Sequence, residues 1–290
     1  MTGESRCPLC GSDRSQPRFQ QRGYTLASCD RCELLFIQPY PQNSDRVHAR
    51  VSDYRRHEMA IADTQRHYDA CAQFYKRYLP MIAPECGGAR SVLDVGCGSG
   101  YLLEQLRVYP SLHRVGIELN RERAAMARRV AACEIVEVPI EEFSTDRRFD
   151  VIVMINLVSH VTSLERLFAS AKSLLAPNGR LVLKVGEMAR DVRRRDMFDW
   201  EIPDHLQFLG LNTIEFICEK FGFHLVSRNR VSFSEEFFSP KWWNAPGRSG
   251  VRNAIKRTVV RIPFALPALA KLYDAAQNRR LYSSFIVLSA

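Results

Sequence analysis

This 290-residue chain has nothing near the run of roughly 18 apolar residues that a membrane helix needs, and no apolar core follows its first residues. Neither a membrane span nor a secretory leader is therefore expected. Disorder is excluded by composition, with 46% hydrophobic and 25% charged residues. The nine cysteines do not form a disulfide framework: Cys71, Cys86, Cys97, Cys133 and Cys218 are scattered, and the other four fall into two C-x-x-C pairs. That usage fits a reducing compartment, so a cytoplasmic location is expected. Acid is nearly missing from the C-terminal part. From Ser239 onward nine Lys and Arg meet one acid, Asp274, and the segment carries +8 of the net +9. A basic block so local points to an anionic partner, either a membrane surface or an acidic substrate. The length suits one α/β domain plus a small module.

The module is N-terminal. Cys7-Pro8-Leu9-Cys10-Gly11 and Cys29-Asp30-Arg31-Cys32 make two C-x-x-C pairs separated by 18 residues. Two residues between cysteines let both thiolates face one tetrahedral Zn²⁺, and two such knuckles complete its shell. Gly11 supplies the open backbone of a knuckle, whereas Glu33 follows the second pair. A closed four-cysteine shell has no position for substrate, so the zinc is expected to be structural. A zinc ribbon over 1–40 and a helical linker or lid over 41–87 then precede the main domain at 88–290.

Ser91 to Gly100, SVLDVGCGSG, reads as a buried strand running into a glycine loop and a helix over 101–108. In an open parallel sheet, ligands sit beyond the carboxyl ends of the strands, where this loop lies. The third glycine of the dinucleotide fingerprint is absent, since Tyr101 stands in its place, and a nicotinamide enzyme is disfavoured. A second strand, 114–117, ends at Glu118, where a carboxylate can accept both hydroxyls of an adenosine ribose. A helix over 121–132 and strands over 134–138 and 149–155 keep the β–α alternation.

With Asp94, the loop glycines and Glu118 in register, the chain resembles the class I S-adenosylmethionine (SAM)-dependent methyltransferases over roughly 88–232 plus the final strand. The resemblance implies a doubly wound, Rossmann-like α/β fold with a seven-stranded sheet whose last strand is antiparallel. It also implies that the loop holds the methionine half of SAM and the acid holds the ribose. These roles carry to Asp94, Gly96, Gly98, Gly100 and Glu118, with Cys97, Leu119 and Asn156 as further cofactor contacts. The family often has Asp after its third strand. Here Val138-Pro139-Ile140 stands there, so adenine recognition falls to backbone and to Ile140.

Several acceptor signatures are missing as well. Residues 155–161, INLVSHV, contain neither an N/D-P-P-Y/F motif nor a Pro-Cys or Thr-Cys nucleophile, which argues against exocyclic base amines and pyrimidine C5. His160 is the first candidate for a general base or an acceptor-orienting group. A helix-end histidine satisfied by backbone is the other reading of the same residue. His205, in Pro203-Asp204-His205, is the second candidate base. Arg193-Arg194-Arg195 reads as a solvated loop. A helix over 163–175 ends at the Pro177-Asn178-Gly179 turn, and Asn212-Thr213-Ile214-Glu215 has the pattern of a capping box.

Residues 283–288 read as the seventh strand, which makes 234–282 a basic insert. Val251, Ile255, Val259 and Ile262 share one helical face; Phe264, Leu266, Leu269, Leu272 and Tyr273 form a second stripe; Trp242-Trp243 precede both. The insert is either a lid on the domain or a peripheral membrane contact. The expected activity is methyl transfer to a hydroxyl, with carbon second, of a sugar, glycan precursor or other metabolite, in one form lipid-linked. The layout resembles sugar and glycan-cluster methyltransferases. The rival is an RNA methyltransferase gripping nucleic acid through ribbon and insert, but the ribbon lacks a basic stripe with interleaved aromatics.

Overall fold

The computed structural model describes residues 6–41, 64–197, 199–232, 258–259, 261–262, 264–277 and 280–290. Three short antiparallel strands come first: β1 (Ser15–Gln21), β2 (Tyr24–Cys29) and β3 (Leu35–Gln38). Helix α1 (Thr64–Cys86) leads into β4 (Ser91–Val95), α2 (Tyr101–Gln105), β5 (His113–Ile117), α3 (Arg121–Ala131), β6 (Glu134–Val136) and β7 (Phe149–Ile155). Then follow α4 (Leu164–Leu174), β8 (Leu175–Met188), β9 (Gln207–Gly210), α5 (Thr213–Phe221), β10 (His224–Ser232), α6 (Ala265–Gln277) and β11 (Leu281–Ser289).

Strands β6, β5, β4, β7 and β8 lie side by side and parallel; β11 adds antiparallel to β8, and β10 antiparallel to β11. This is the expected seven-stranded order with the last strand slotted inside. The strands read as near-continuous Val, Ile and Leu because both faces of a parallel sheet are covered. On one face Leu93, Val115, Ile152, Leu181 and Leu183 pack with Leu167 and Phe168 of α4 and Ile214 and Ile217 of α5. On the other, Val92, Val151, Val153 and Val182 meet Tyr75, Tyr78 and Ile82 of α1, Leu102 and Leu103 of α2, and Ala124 and Ala127 of α3. The winding is double.

Local signals set most boundaries. Asn120 and Ser163 cap α3 and α4, accepting from the amides of Arg123 and Arg166 at 2.9 and 3.2 Å. Gly222 closes α5 at φ +69°. Three expectations change. Helix α2 gives way to a 3₁₀ turn at Leu106–Val108. Strand β8 begins at Leu175, before the Pro177-Asn178-Gly179 turn, because Leu175 pairs with Phe149; the turn becomes an irregularity before Arg180 takes up the register opposite Val151. The capping box at Asn212 does not form. The Asn212 amide donates instead to Glu33 Oε1 at 3.1 Å, and Glu215 pairs with Arg228 at 2.9 Å.

Of the C-terminal insert, α6 and short pieces on either side of it are described. Leu266 and Ala270 are buried while Phe264 and Leu272 are 83% and 68% exposed, so the second apolar stripe divides between two faces. The Tyr273 hydroxyl donates to the Asp196 carbonyl and ties the helix to the domain. Ile262 is exposed. Residues 42–63, Trp242-Trp243, Val251 and Ile255 lie outside the described residues. Among the described residues no helix is long and apolar enough to cross a membrane.

One connection was not expected. Strand β8 outruns β7, and its last residues, Glu187 and Met188, pair with Leu209 and Gly210 of β9. Strand β3 then pairs with β9, Leu35 opposite Phe208 and Phe36 opposite Gln207. The N-terminal hairpin is thus continuous with the main sheet at the carboxyl end of β8.

Candidate active site

The glycine loop leaves β4 and is held by the tip of β5. The amides of Gly96 and Cys97 both donate to the Ile117 carbonyl, at 2.8 and 2.9 Å. Glu118 Oε2 accepts from the Gly98 amide at 2.9 Å, and its Oε1 from the Asn120 amide at 2.8 Å. A carboxylate offers about four lone-pair directions, so two remain for other donors. Gly100 is required twice over: its φ is +86°, and a Cβ there would lie 2.7 Å from the Ala127 Cα of α3. The close approach seats α2 on α3.

Asp94 ends β4 beneath this loop. It is buried, and neither carboxylate oxygen has a hydrogen-bond partner within the described residues. Burial, and then the nearby charge of Glu118, push its carboxyl up to about 7. An acid so placed has room to accept donors from beyond the described residues. Cys97 turns inward, its sulfur packed where a Cβ on Gly116 would come to 2.7 Å, so only its backbone belongs to the loop. Burial pushes its thiol up. Leu119 is exposed, Ile140 is buried beside Ile117, and Asn156 is exposed past β7 at φ +55°.

The helical lid expected before the main domain carries an aromatic face on α1, although the individual rings were not singled out. Tyr75 stacks on Tyr101 with centroids 5.8 Å apart, Tyr68 meets Tyr101 edge-on at 5.3 Å, and Phe74 lies 4.7 Å from Tyr78. The buried Lys184 of β8 holds its Nζ 5.6 and 5.8 Å from the Phe74 and Tyr78 centroids. The Phe74, Tyr75 and Tyr78 spacing on one helix face was the available signal.

The two candidate bases, 45 positions apart, come together. Their rings lie 4.8 Å apart, edge to face. The His160 Nδ1 sits 3.1 Å from the Asp204 carbonyl and 3.6 Å from its Oδ1. A carbonyl only accepts, so in this contact Nδ1 carries the proton, as in a histidine satisfied by backbone. The His205 Nε2 lies 3.8 Å from Glu201 Oε2. One ligand atom each from His160, Asp204 and His205 falls within 4.8 Å of the others, and the Asp204 carbonyl on Nδ1 of His160 is compatible with either proton handling or a cation. The expected solvated arginine run is in part an ion pair, with Arg193 held 3.0 Å from buried Asp196.

The four ribbon cysteines converge as the spacing predicts. Cys7 and Cys32 sulfurs are 3.5 Å apart, as are those of Cys10 and Cys29, and all four lie within 4.8 Å of one another. Four thiolates each about 2.3 Å from one zinc ion would stand about 3.8 Å apart, so the set fits. The Cys29 thiol is held low by hydrogen bonds from Cys32 and Cys7, and the same contacts push those two up. Gly11 and Glu33, one after each pair, both take positive φ.

Comparison with known proteins agrees with this geometry. A ubiquinone biosynthesis O-methyltransferase of Pasteurella multocida is 30% identical over 135 residues, 40% of this chain and 55% of that protein. The Mus musculus protein named "Probable tRNA methyltransferase 9B" is 29% identical over 119 residues, 39% of this chain and 25% of that one. The chain thus spans about half, or less, of the length of these curated relatives. Coclaurine N-methyltransferase bound to N-methylheliamine and SAH superposes with a TM-score of 0.51 at 17% identity, covering 73% of this chain and 72% of that one. A cyclopropane synthase of Mycobacterium tuberculosis gives 0.50 at 17%, covering 73% and 84%. A family model described as a methyltransferase domain matches residues 62–228, more than half of the chain. The chain belongs to that methyltransferase-domain family, and its fold is that of the class I SAM-dependent methyltransferases.

Proposed function

We propose that the chain transfers a methyl group from SAM to a hydroxyl, with carbon as second choice, on a sugar, glycan precursor or other metabolite. The observation that carries the reading is the buried Asp94 carboxylate under the Glu118-clamped glycine loop, one strand away from the His160–Asp204–His205 group. SAM, when bound, supplies a methyl group on a positively charged sulfur. The protein's work is to orient, to exclude water and to manage one proton.

Asp94 accepts from the amino group of the methionine half, and Glu118 keeps two lone pairs for the ribose. Leu119 and Ile140 offer apolar surface toward the adenine, while Cys97 and Asn156 contribute backbone at the two strand ends. The α1 aromatics and Tyr101 close the loop side with π faces, which favour a cation nearby. His160 takes the acceptor proton at Nε2, and the Asp204 carbonyl stabilises the protonated ring at Nδ1. His205 lies edge-on beside it as the second base, paired with Glu201. Neither step needs the ribbon metal, whose closed shell keeps it structural.

The +8 segment at the C-terminus supports an anionic acceptor, or one held at a membrane surface, approached through 234–282. The test is direct. Purified chain with labelled SAM is offered nucleotide sugars, polyprenyl-linked sugars and undermethylated tRNA, and transfer is followed with wild type and His160→Gln. Transfer to a sugar hydroxyl that drops at least tenfold in the variant supports the reading; transfer to tRNA alone would replace it with the RNA-modifying one.

A further inference from the structure

The ribbon could have been a module tethered to the domain. It is instead built into the wall that carries the two histidines. We propose that the four-cysteine ribbon is the positioning element of the acceptor side: its metal-bound fold sets the His160–Asp204–His205 group, and cofactor binding is independent of it. The proposal rests on the reading of that group as the acceptor end.

Three connections carry the argument. At the knuckle, the Thr213 hydroxyl donates to the Cys32 carbonyl at 2.7 Å and accepts from the Gly210 amide at 2.8 Å, while Lys220 Nζ donates to the Leu9 carbonyl at 2.9 Å. Gly210 leaves no slack, because a Cβ there would lie 2.3 Å from the Glu33 carbonyl oxygen. Along the strands, the Ile37 amide donates to the Leu206 carbonyl at 2.9 Å, and the Leu206 amide donates to the Ser159 carbonyl at 2.8 Å. Ribbon, His205 neighbour and His160 neighbour are thus joined in one hydrogen-bonded row. At the far end, Arg22 and Gln21 each reach Asp199 at 2.6 Å, and Arg22 reaches the Ile202 carbonyl at 2.9 Å, which fixes the start of the loop bearing Asp204 and His205. The Tyr40 hydroxyl bonds Gln207, whose amide donates to the Val158 and Val161 carbonyls on either side of His160, at 2.6 and 2.8 Å.

The glycine loop is held differently, by Ile117, Glu118 and the Ala127 face of α3. A unit of some 35 residues buries too little on its own to fold without a cross-link, so the metal's binding free energy is the ribbon's folding free energy. Loss of metal should therefore loosen β3, then β9, then the two imidazoles, and stop there.

The experiment uses the full chain with ¹³C-histidine labelling, zinc-loaded or stripped by chelation, with SAH as the cofactor-site probe. Imidazole resonances of His160 and His205 are assigned from His160→Gln and His205→Gln. On stripping, SAH affinity should stay within about threefold, the His160 and His205 signals should shift or broaden, and those of His113 and His224 should hold still. Tyr40→Phe, which leaves the cysteines alone, should move the same two signals with zinc content unchanged. Unmoved His160 and His205 signals in the stripped chain would overturn the proposal. So would loss of SAH binding together with general broadening, which would make the zinc a global staple. If the zinc-loaded chain fails to bind SAH, the methyltransferase reading fails by itself, and the imidazole comparison still decides this one.

Discussion

A buried acid held at about 7 makes cofactor affinity depend on pH in a way that can be worked out beforehand. The titratable groups that interact with Asp94 among the described residues are Glu118 from the β5 tip, Tyr75 and Cys86 from α1, Cys97 from the loop and Cys133 after α3. None of them is a cation, so in cofactor-stripped protein Asp94 takes a proton as the pH falls through about 7. Binding the amino group of SAH requires the ionised form, so that proton must leave. With a free-state value of about 7, the apparent Kd should weaken about 25-fold between pH 7.5 and pH 5.5. Calorimetry in buffers of different ionisation enthalpy should show close to one proton released per SAH at pH 6, and much less at pH 7.5. Asp94→Asn should flatten the pH dependence and weaken binding at pH 7.5 by roughly 10- to 100-fold, the worth of a charge-assisted hydrogen bond. Stability gives a second readout. A carboxyl raised from 3.8 to about 7 favours the folded state fully below 3.8 and loses that contribution as pH rises through 7, about 4 kcal/mol in all. Stripped wild type should therefore melt higher at pH 5.5 than at pH 8 by more than Asp94→Asn does. An SAH affinity independent of pH, or one whose pH dependence survives in Asp94→Asn, would refute the reasoning.

Gly100→Ala must strain a positive φ and push against Ala127, so a loss of about 2–3 kcal/mol in denaturant titration is expected, with SAH affinity falling along with it. Elemental analysis should find one zinc per chain, and Cys29→Ser should lower both zinc content and melting temperature. Glu187 is fully buried and accepts from Arg230 at 2.9 and 3.0 Å, but Arg230 itself is exposed and keeps its bond to the Leu211 carbonyl, so Glu187→Ala should cost about 1–3 kcal/mol by urea unfolding. A normal urea midpoint for that variant would show the pair to be dispensable.

What the sequence made legible were features whose causes are local. Alternating buried strands and helices, the loop whose glycines lead into α2, the acid one strand over and the two cysteine pairs each sit within a few residues of what makes them work. The Asn212 and Pro177 patterns misled for the opposite reason. Asn212 has the right residue three before an acid, but Glu33 and Arg228, distant in sequence, offered the two side chains better partners than the helix end did. Pro177-Asn178-Gly179 reads as a clean helix stop, yet Phe149 had an open edge, and Leu175 paired with it first.

Strand β9 shows why the acceptor side was the least readable part. Gln207-Phe208-Leu209-Gly210 is four residues long, lacks alternation and follows a proline-containing loop; Phe208 alone favours extended backbone. It is a strand because Glu187 and Met188 overhang β7 on one side and Leu35 and Phe36 arrive on the other. Both partners are non-local, and one of them owes its own shape to four cysteines. His160 and His205 could be picked out singly as polar residues after strand ends. Their meeting at 4.8 Å depends on that borrowed strand, because it is the segment before β9 that carries Asp204 and His205 to the turn after β7. The chemistry of each residue is written locally; the distance between them is set by the ribbon.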